Sequence, residues 1–272
     1  MNPQIIVTGG FDDLRAHDLR LLQEASKLGE LTVLLWPDEM IVRMTGNEPK
    51  FPLAERQYFL NAVRYVSRVD LGSADDNVDY LPATTGLEPH IWAMLEGEAV
   101  VARKSFCRQR GIQLHSFAPE ALAGFPEPPP MLSAPGKKKV IVTGCYDWFH
   151  SGHVRFTEEV SAYGDLYVVV GHDANIRLLK GAGHPLISET ERRYVVGSIK
   201  FVKHALISTG EGWLDAEPEI KQIKPDIYAV NEDGDKGGKR EYCQKMGLEY
   251  LVLKRTPAPG LAKRSSTDLR GF

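Results

Sequence analysis

Val140-Ile-Val-Thr-Gly-Cys-Tyr-Asp-Trp-Phe-His-Ser-Gly-His-Val154 runs from a β-branched apolar segment into a turn that carries His150, Gly152 and His153. A buried strand ending in Thr143-Gly144, then two histidines that bracket a glycine, then an amphipathic helix together describe a strand–loop–helix phosphate site.

The same signature occurs earlier in the chain. Shifting the N-terminal segment by 135 positions lays Ile6-Val-Thr-Gly9 on Ile141-Val-Thr-Gly144, Asp12 on Asp147, Gly29 on Gly164, Asp38 on Asp173 and Gly46 on Gly181. Fourteen of the 41 ungapped columns from Ile6 to Gly46 are identical, where unrelated sequences of ordinary composition would share roughly two or three. At an offset of 136 the match resumes, with Pro52-Leu-Ala-Glu-Arg-Gln-Tyr58 on Ser188-Glu-Thr-Glu-Arg-Arg-Tyr194 and Cys107-Arg-Gln-Arg-Gly111 on Cys243-Gln-Lys-Met-Gly247. The chain reads as two copies of one domain.

Between the copies, Phe125-Pro-Glu-Pro-Pro-Pro130 and Ser133-Ala-Pro-Gly136 are too rich in proline for a helix or central strand, and read as a semi-rigid linker. The expected boundaries are a first domain over 1–125, a linker over 126–137 and a second domain over 138–272. Leu31-Thr-Val-Leu-Leu-Trp36 and Leu166-Tyr-Val-Val-Val-Gly171 read as buried strands, each reached through a helix from the strand before it, which is the βαβ pattern of a parallel sheet. Ser188 with Glu191 is a capping-box signature that predicts a helix running towards Phe201, and Pro52 suits the first turn of its counterpart. Asp226-Ile-Tyr-Ala-Val230 is predicted as a strand, Lys239 to Met246 as a helix and Glu249-Tyr-Leu-Val-Leu253 as a last strand. The expected fold is α/β, two tandem Rossmann-like domains with doubly wound parallel sheets, which bind ligands at the carboxyl ends of their strands.

A chain of 272 residues with 43% hydrophobic content can build two modest α/β cores. A formal charge of −3 and a pI near 6.3 argue against a general nucleic-acid or anionic-membrane surface. No charged leader followed by an apolar run opens the sequence, and no apolar segment approaches the roughly 18 residues of a membrane helix, so a cytoplasmic protein without membrane insertion is expected. Cys107, Cys145 and Cys243 are widely spaced, which suits reduced thiols better than a disulfide framework or a zinc site.

His150-Ser-Gly-His153 after an apolar strand, Lys180-Gly181 beyond the second strand, Glu191-Arg192 and the near-terminal Arg264-Ser-Ser-Thr-Asp-Leu-Arg270 resemble the HxGH nucleotidyltransferase superfamily. Gly144-Cys-Tyr-Asp147 is similar to the GxFD element of its cytidylyltransferase branch. The tandem arrangement resembles the ethanolamine-phosphate cytidylyltransferases, and the length of one copy the glycerol-3-phosphate cytidylyltransferases. The second copy is covered throughout, the first only as scaffold. The resemblance implies a nucleoside triphosphate and a phosphorylated alcohol or sugar as substrates and pyrophosphate as product. Magnesium would be carried in with the nucleotide rather than held by protein side chains. Position by position, it marks His150, His153 and Lys180 as catalytic candidates. For the nucleotide it marks Thr143, Gly144, Cys145, Tyr146, Asp147, Gly152, Arg192, Asn231, Arg255, Thr256, Ser265, Ser266 and Thr267. Lys239, Arg240, Lys263 and Arg264 are candidates for the acceptor.

The chemistry accounts for these residue types. An acceptor phosphate is already a nucleophile, so no general base is needed. The protein must align the groups and stabilise charge growing on the α-phosphate and leaving group. Imidazoles at a helix start can donate hydrogen bonds there, Gly152 lets backbone approach phosphate, Lys180 supplies a point charge, and Ser265, Ser266 and Thr267 supply donors at the start of a short terminal helix. Plainer roles stay open for several of them. Lys180 can be a solvated loop charge, Arg192 a surface partner of Glu189 on its own helix, Asp147 a brace for the turn, and the Ser/Thr cluster a helix cap.

The first copy carries different side chains at these places. Arg15 stands for His150, His17 for Gly152, Asp18 for His153 and Thr45 for Lys180. A carboxylate at Asp18 would repel phosphate, so the first domain is expected to be catalytically silent, an intramolecular partner in place of one subunit of a homodimer, with further dimerisation left open. Against the glycerol-phosphate branch, whose RTEGISTT-like stretch is short, Arg255-Thr256 here is separated from Ser265-Ser-Thr267 by Pro257-Ala-Pro-Gly-Leu-Ala-Lys-Arg264, and Asn231-Glu-Asp233 replaces Gly-Asp-Asp. The Arg255-Thr256 pair favours CTP, with ATP as the nearest competitor and a non-catalytic nucleotide-binding regulator as the alternative class.

Overall fold

In the computed structural model, which describes residues 2–82, 88–128, 131, 135–266 and 269, the β-branched run of each copy becomes a central strand. The first unit contains β1 (Gln4–Gly9), α1 (Ala16–Ser26), β2 (Glu30–Leu35), α2 (Asp38–Thr45), α3 (Leu53–Ala62), β3 (Arg68–Leu71), β4 (Ile91–Leu95), α4 (Val101–Arg110) and β5 (Gln113–Phe117). The second contains β6 (Lys139–Gly144), α5 (Ser151–Ser161), β7 (Asp165–Val170), α6 (Asp173–Lys180), α7 (Glu189–Gly197), β8 (Val202–Ile207), α8 (Glu217–Ile223), β9 (Ile227–Asn231), α9 (Lys239–Met246) and β10 (Glu249–Leu253). The chain divides into units Met1–Phe125 and Pro126–Phe272.

Each unit carries a parallel five-stranded sheet among its described residues, ordered β3-β2-β1-β4-β5 in the first and β8-β7-β6-β9-β10 in the second. The registers repeat as well. Gln4 to Gly9 pair with Glu30 to Leu35, and Lys139 to Gly144 pair with Asp165 to Val170, the same steps 135 positions on. Val140, Ile141 and Val142 have no exposed surface, as expected for a strand covered on both faces by helices. Gly29 and Gly164 are kept for a shared steric reason. A Cβ there would sit 2.2 Å from the Pro3 carbonyl oxygen and 2.3 Å from that of Lys138, so the chain can approach its central strand only without one.

Strand order reverses between β6 and β9. Their pairing joins Val140 with Ile227 and Ile141 with Tyr228, and among the described residues it ends there. The last residues of both strands are therefore left to flank a crevice at the carboxyl edge, where doubly wound sheets take their ligands.

Several sequence expectations shift in detail. The Ser188 hydroxyl does accept the Glu191 N–H, at 3.4 Å, but the helix it caps ends at Gly197, short of Phe201. Pro52 is the residue before α3, one place outside its first turn. In the expected linker, Glu127 pairs with Arg193 of α7 at 3.0 Å, while 129–130 and 132–134 lie outside the described residues. Cys107, Cys145 and Cys243 are free thiols. Among the described residues no helix is long and apolar enough to cross a membrane.

Candidate functional site

The turn between β6 and α5 is built by its own histidines. His150 is the N-cap of α5 with extended backbone, and its Nδ1 accepts the N–H of Gly152 at 3.1 Å. Three residues on, His153 Nδ1 accepts the N–H of His150 at 3.3 Å. This is the reciprocal logic of a capping box written with imidazoles. Since each Nδ1 acts as an acceptor, each neutral ring carries its proton on Nε2, and both are Nε2–H donors. The rings lie 4.1 Å apart between centroids, with Phe149 stacked on His153 at 5.2 Å and the Tyr146 edge at 5.4 Å. Burial first, and then the charges of His150, Arg255 and Lys180, hold His153 well below its ordinary value of 6.5. It stays a neutral donor at physiological pH.

Gly152 serves the ring before it serves any ligand. A Cβ there would lie 2.9 Å from His150 Cε1 and 3.0 Å from its Nδ1, displacing the imidazole that caps the helix.

These groups open onto a cleft of about 750 Å³. Thr143, Gly144, Cys145, Tyr146, Asp147, His150, Gly152, His153, Lys180, Asn231, Lys239, Arg255, Ser265 and Ser266, all nominated from the sequence, line it together. Thr143 Oγ1 lies 2.8 Å from the Tyr228 hydroxyl, and the Ser266 hydroxyl donates to the Trp148 carbonyl at 3.1 Å. Lys239 donates to the Gly234 carbonyl at 2.7 Å, and burial lowers its pKa. Arg255 donates to Asp233 at 2.6 Å and to the Arg264 carbonyl at 2.9 Å, fastening the segment after β10 to the end of β9. Asp147 is a brace as well as a wall, because its Oδ1 accepts the N–H groups of Leu186 at 2.8 Å and Ile187 at 3.0 Å.

Five nominated residues among those described do not line the cleft. Arg192 has a fully buried side chain that donates to the carbonyls of Ile187 at 2.9 Å, Cys145 at 2.5 Å and Gly171 at 2.8 Å, and to Asp173 at 2.6 Å. It is an internal clamp between the turn, the end of β7 and the start of α6, paired with Asp173 rather than with Glu189. Arg240 pairs with Asp235 at 3.0 Å and lies over the Tyr250 ring, off the cleft. Thr256, Lys263 and Arg264 line a small recess that shares Gly152, Phe156, Asn231 and Arg255 with the cleft, and the Arg264 carbonyl accepts from Arg255. Thr267 and most of the expected terminal helix lie outside the described residues. The sequence reading missed His184, Phe156, Ala229, Val230, Asp233 and Gly234, which also line the cleft.

The site suits a polyanion. Lys180, Lys239, Arg255 and the imidazoles of His150 and His153 line it, against the braced Asp147 and the Arg255-bound Asp233. Among the described residues no group of three or more His, Cys, Asp or Glu could hold a metal ion. Both cleft carboxylates already have partners.

Comparison with known proteins matches residues 141–271 to the family described as cytidylyltransferase-like. An FAD synthase of Ferroglobus placidus is 38% identical over 120 residues, covering 43% of this chain and 75% of the relative. A bifunctional protein HldE of Aliarcobacter butzleri is 32% identical over 120 residues, 44% of this chain; the match spans about a quarter of that relative's length, 24%. The crystal structure of a lipopolysaccharide core biosynthesis protein from Thermoplasma volcanium is 24% identical, covers 45% of this chain and 99% of that one, and superimposes with a TM-score of 0.38.

Proposed function

The chain belongs to the cytidylyltransferase-like nucleotidyltransferases, and from that premise we propose that its second unit moves a nucleotidyl group from a nucleoside triphosphate to the phosphate of a small phosphorylated acceptor. An acceptor phosphate oxygen attacks the α-phosphorus, the bond to the bridging oxygen of the β-phosphate breaks, and pyrophosphate leaves with that electron pair. His150 and His153 donate Nε2–H to the phosphate oxygens on which charge builds. Their value lies in being fixed beforehand, since each ring is pinned through Nδ1 and need not reorganise during the reaction. Lys180 adds a mobile charge at the leaving group, and Ser265 and Ser266 close the phosphate end. A magnesium ion bound to the triphosphate would supply charge neutralisation at the leaving group, beside Lys180. The pinned pair of neutral imidazole donors at the head of α5 is the observation that carries this reading.

Adenylyl is the group we favour. FAD, the product named for the first relative, contains an adenylyl unit. Arg255, one half of the pair that spoke for cytidine, is already engaged with Asp233. CTP takes second place. The first unit, which carries Arg15, Asp18 and Thr45 at the corresponding positions, is the silent copy in this reading.

Pyrophosphate release from each of the four nucleoside triphosphates, with FMN, sugar phosphates and glycerol phosphate as acceptors, tests the proposal. The expected result is ATP- and acceptor-dependent release with a product mass equal to acceptor plus AMP. Release with CTP alone would reverse the base assignment. No release with any pair, nucleotide still binding, would make the protein a regulator.

A further inference from the structure

The cleft contains an imidazole that no sequence motif nominates. His184 lies in the segment between α6 and α7, beyond Lys180. The carboxylate of Asp147 governs that segment. Its Oδ1 accepts the amides of Leu186 and Ile187, and its Oδ2 lies 4.0 Å from His184 Nδ1. The Asp147 side chain is 4% exposed and that of His184 24%. A buried carboxylate thus backs the ring of a residue that lines the cleft.

The first unit provides an internal control. There Asp12 accepts the N–H groups of Lys50 at 2.7 Å and Phe51 at 2.9 Å, the residues 136 positions before Leu186 and Ile187. The brace is the same, and Pro49 matches Pro185, but the residue matching His184 is Glu48. Asp18 replaces His153 in the same sense. Where the two units share a brace they keep its residue, and at both of these positions an imidazole in one unit is a carboxylate in the other. Carboxylates repel phosphate, whereas an imidazole backed by a carboxylate takes up a proton and, as the imidazolium, donates to it.

We infer that His184 is a phosphate-binding residue of the nucleotide site, acting with Lys180 on the terminal phosphates; this rests on the function proposed above. Binding to inorganic tripolyphosphate, ATP and AMP, measured by titration calorimetry on the full chain and on His184→Glu, His184→Gln and His184→Arg, tests it. His184→Glu should weaken tripolyphosphate and ATP by about tenfold to a hundredfold while AMP changes less than about twofold. His184→Gln should fall between, and His184→Arg should bind as the parent does. Because the segment is held by Asp147 through backbone amides, all three variants should melt with the parent chain. Tripolyphosphate binding unaltered in His184→Glu, or lost in parallel with AMP, would overturn the inference and leave the proposed function standing. A parent chain that binds no nucleoside triphosphate would overturn both.

Discussion

The turn after β1 and the turn after β6 share much of their backbone and differ in charge, although Asp13 is left-handed, with φ of 57°, and Trp148 is not. Phe11 and Tyr146 both take a left-handed conformation, with φ of 47° and 54°. Arg15 and His150 both cap the following helix, and each gives its N–H to the side chain three residues on, to Asp18 Oδ2 at 2.9 Å and to His153 Nδ1 at 3.3 Å. Behind the turns, Arg56 repeats the Arg192 clamp, donating to the carbonyls of Phe51, Gly10 and Trp36 and to Asp38. What the units have in common therefore holds the turn. What distinguishes them, imidazoles against Arg15 and Asp18, is what a phosphate would meet. The comparison separates scaffold from chemistry without reference to any other protein.

The sharpest way to break that comparison is at the donors. His153→Ala should lower kcat by about a thousandfold, on the order of 4 kcal/mol, with the melting temperature little changed, as loss of a fixed donor to a developing charge does. The clamp gives the next effect, and it should be symmetric. Arg192→Ala and Arg56→Ala each strand buried carbonyls and a carboxylate, and each should cost about 3 kcal/mol in denaturant unfolding. Stability kept in Arg192→Ala together with lost nucleotide binding would mean that the arginine serves the ligand after all.

Gly152→Ala should come next. The new methyl group must push the His150 ring aside, so kcat should fall about tenfold while stability is nearly kept. The smallest effect belongs to Asp18→Asn, which keeps an acceptor for the Arg15 N–H. Burial raises the Asp18 carboxyl above its ordinary value near 3.8, so the folded chain holds that proton more tightly than the unfolded chain does. Stability contributed by that proton is present below about 3.8 and declines as pH rises through the raised folded value. Asp18→Asn should remove that decline, shift stability at neutral pH by less than about 1 kcal/mol, and leave turnover unchanged.

Much of this was legible because the chain contains its own homologue. The repeat fixed the equivalence of β1 with β6 and of α2 with α6, and the histidine turn stood out by its loss in one copy. The clamp formed by Arg192 was not legible because its partners lie 5, 19, 21 and 47 residues away in sequence, where spacing along a helix says nothing. Arg240 looked available for an acceptor because its engagement with Asp235 and the Tyr250 ring depends on how α9 packs beside β10. His184 sits in an irregular segment with no periodicity to read. The signal that marks it, Glu48-Pro49 against His184-Pro185, lies at the place where the offset changes from 135 to 136.

The central claim is that one of two equivalent turns has kept phosphate chemistry. Counting triphosphate sites by titration calorimetry on the full chain, alongside its His150→Ala/His153→Ala variant, tests this most directly. The account predicts one site per chain in the parent and none in the variant. Two sites in the parent, or one that survives the double substitution in a folded chain, would contradict it.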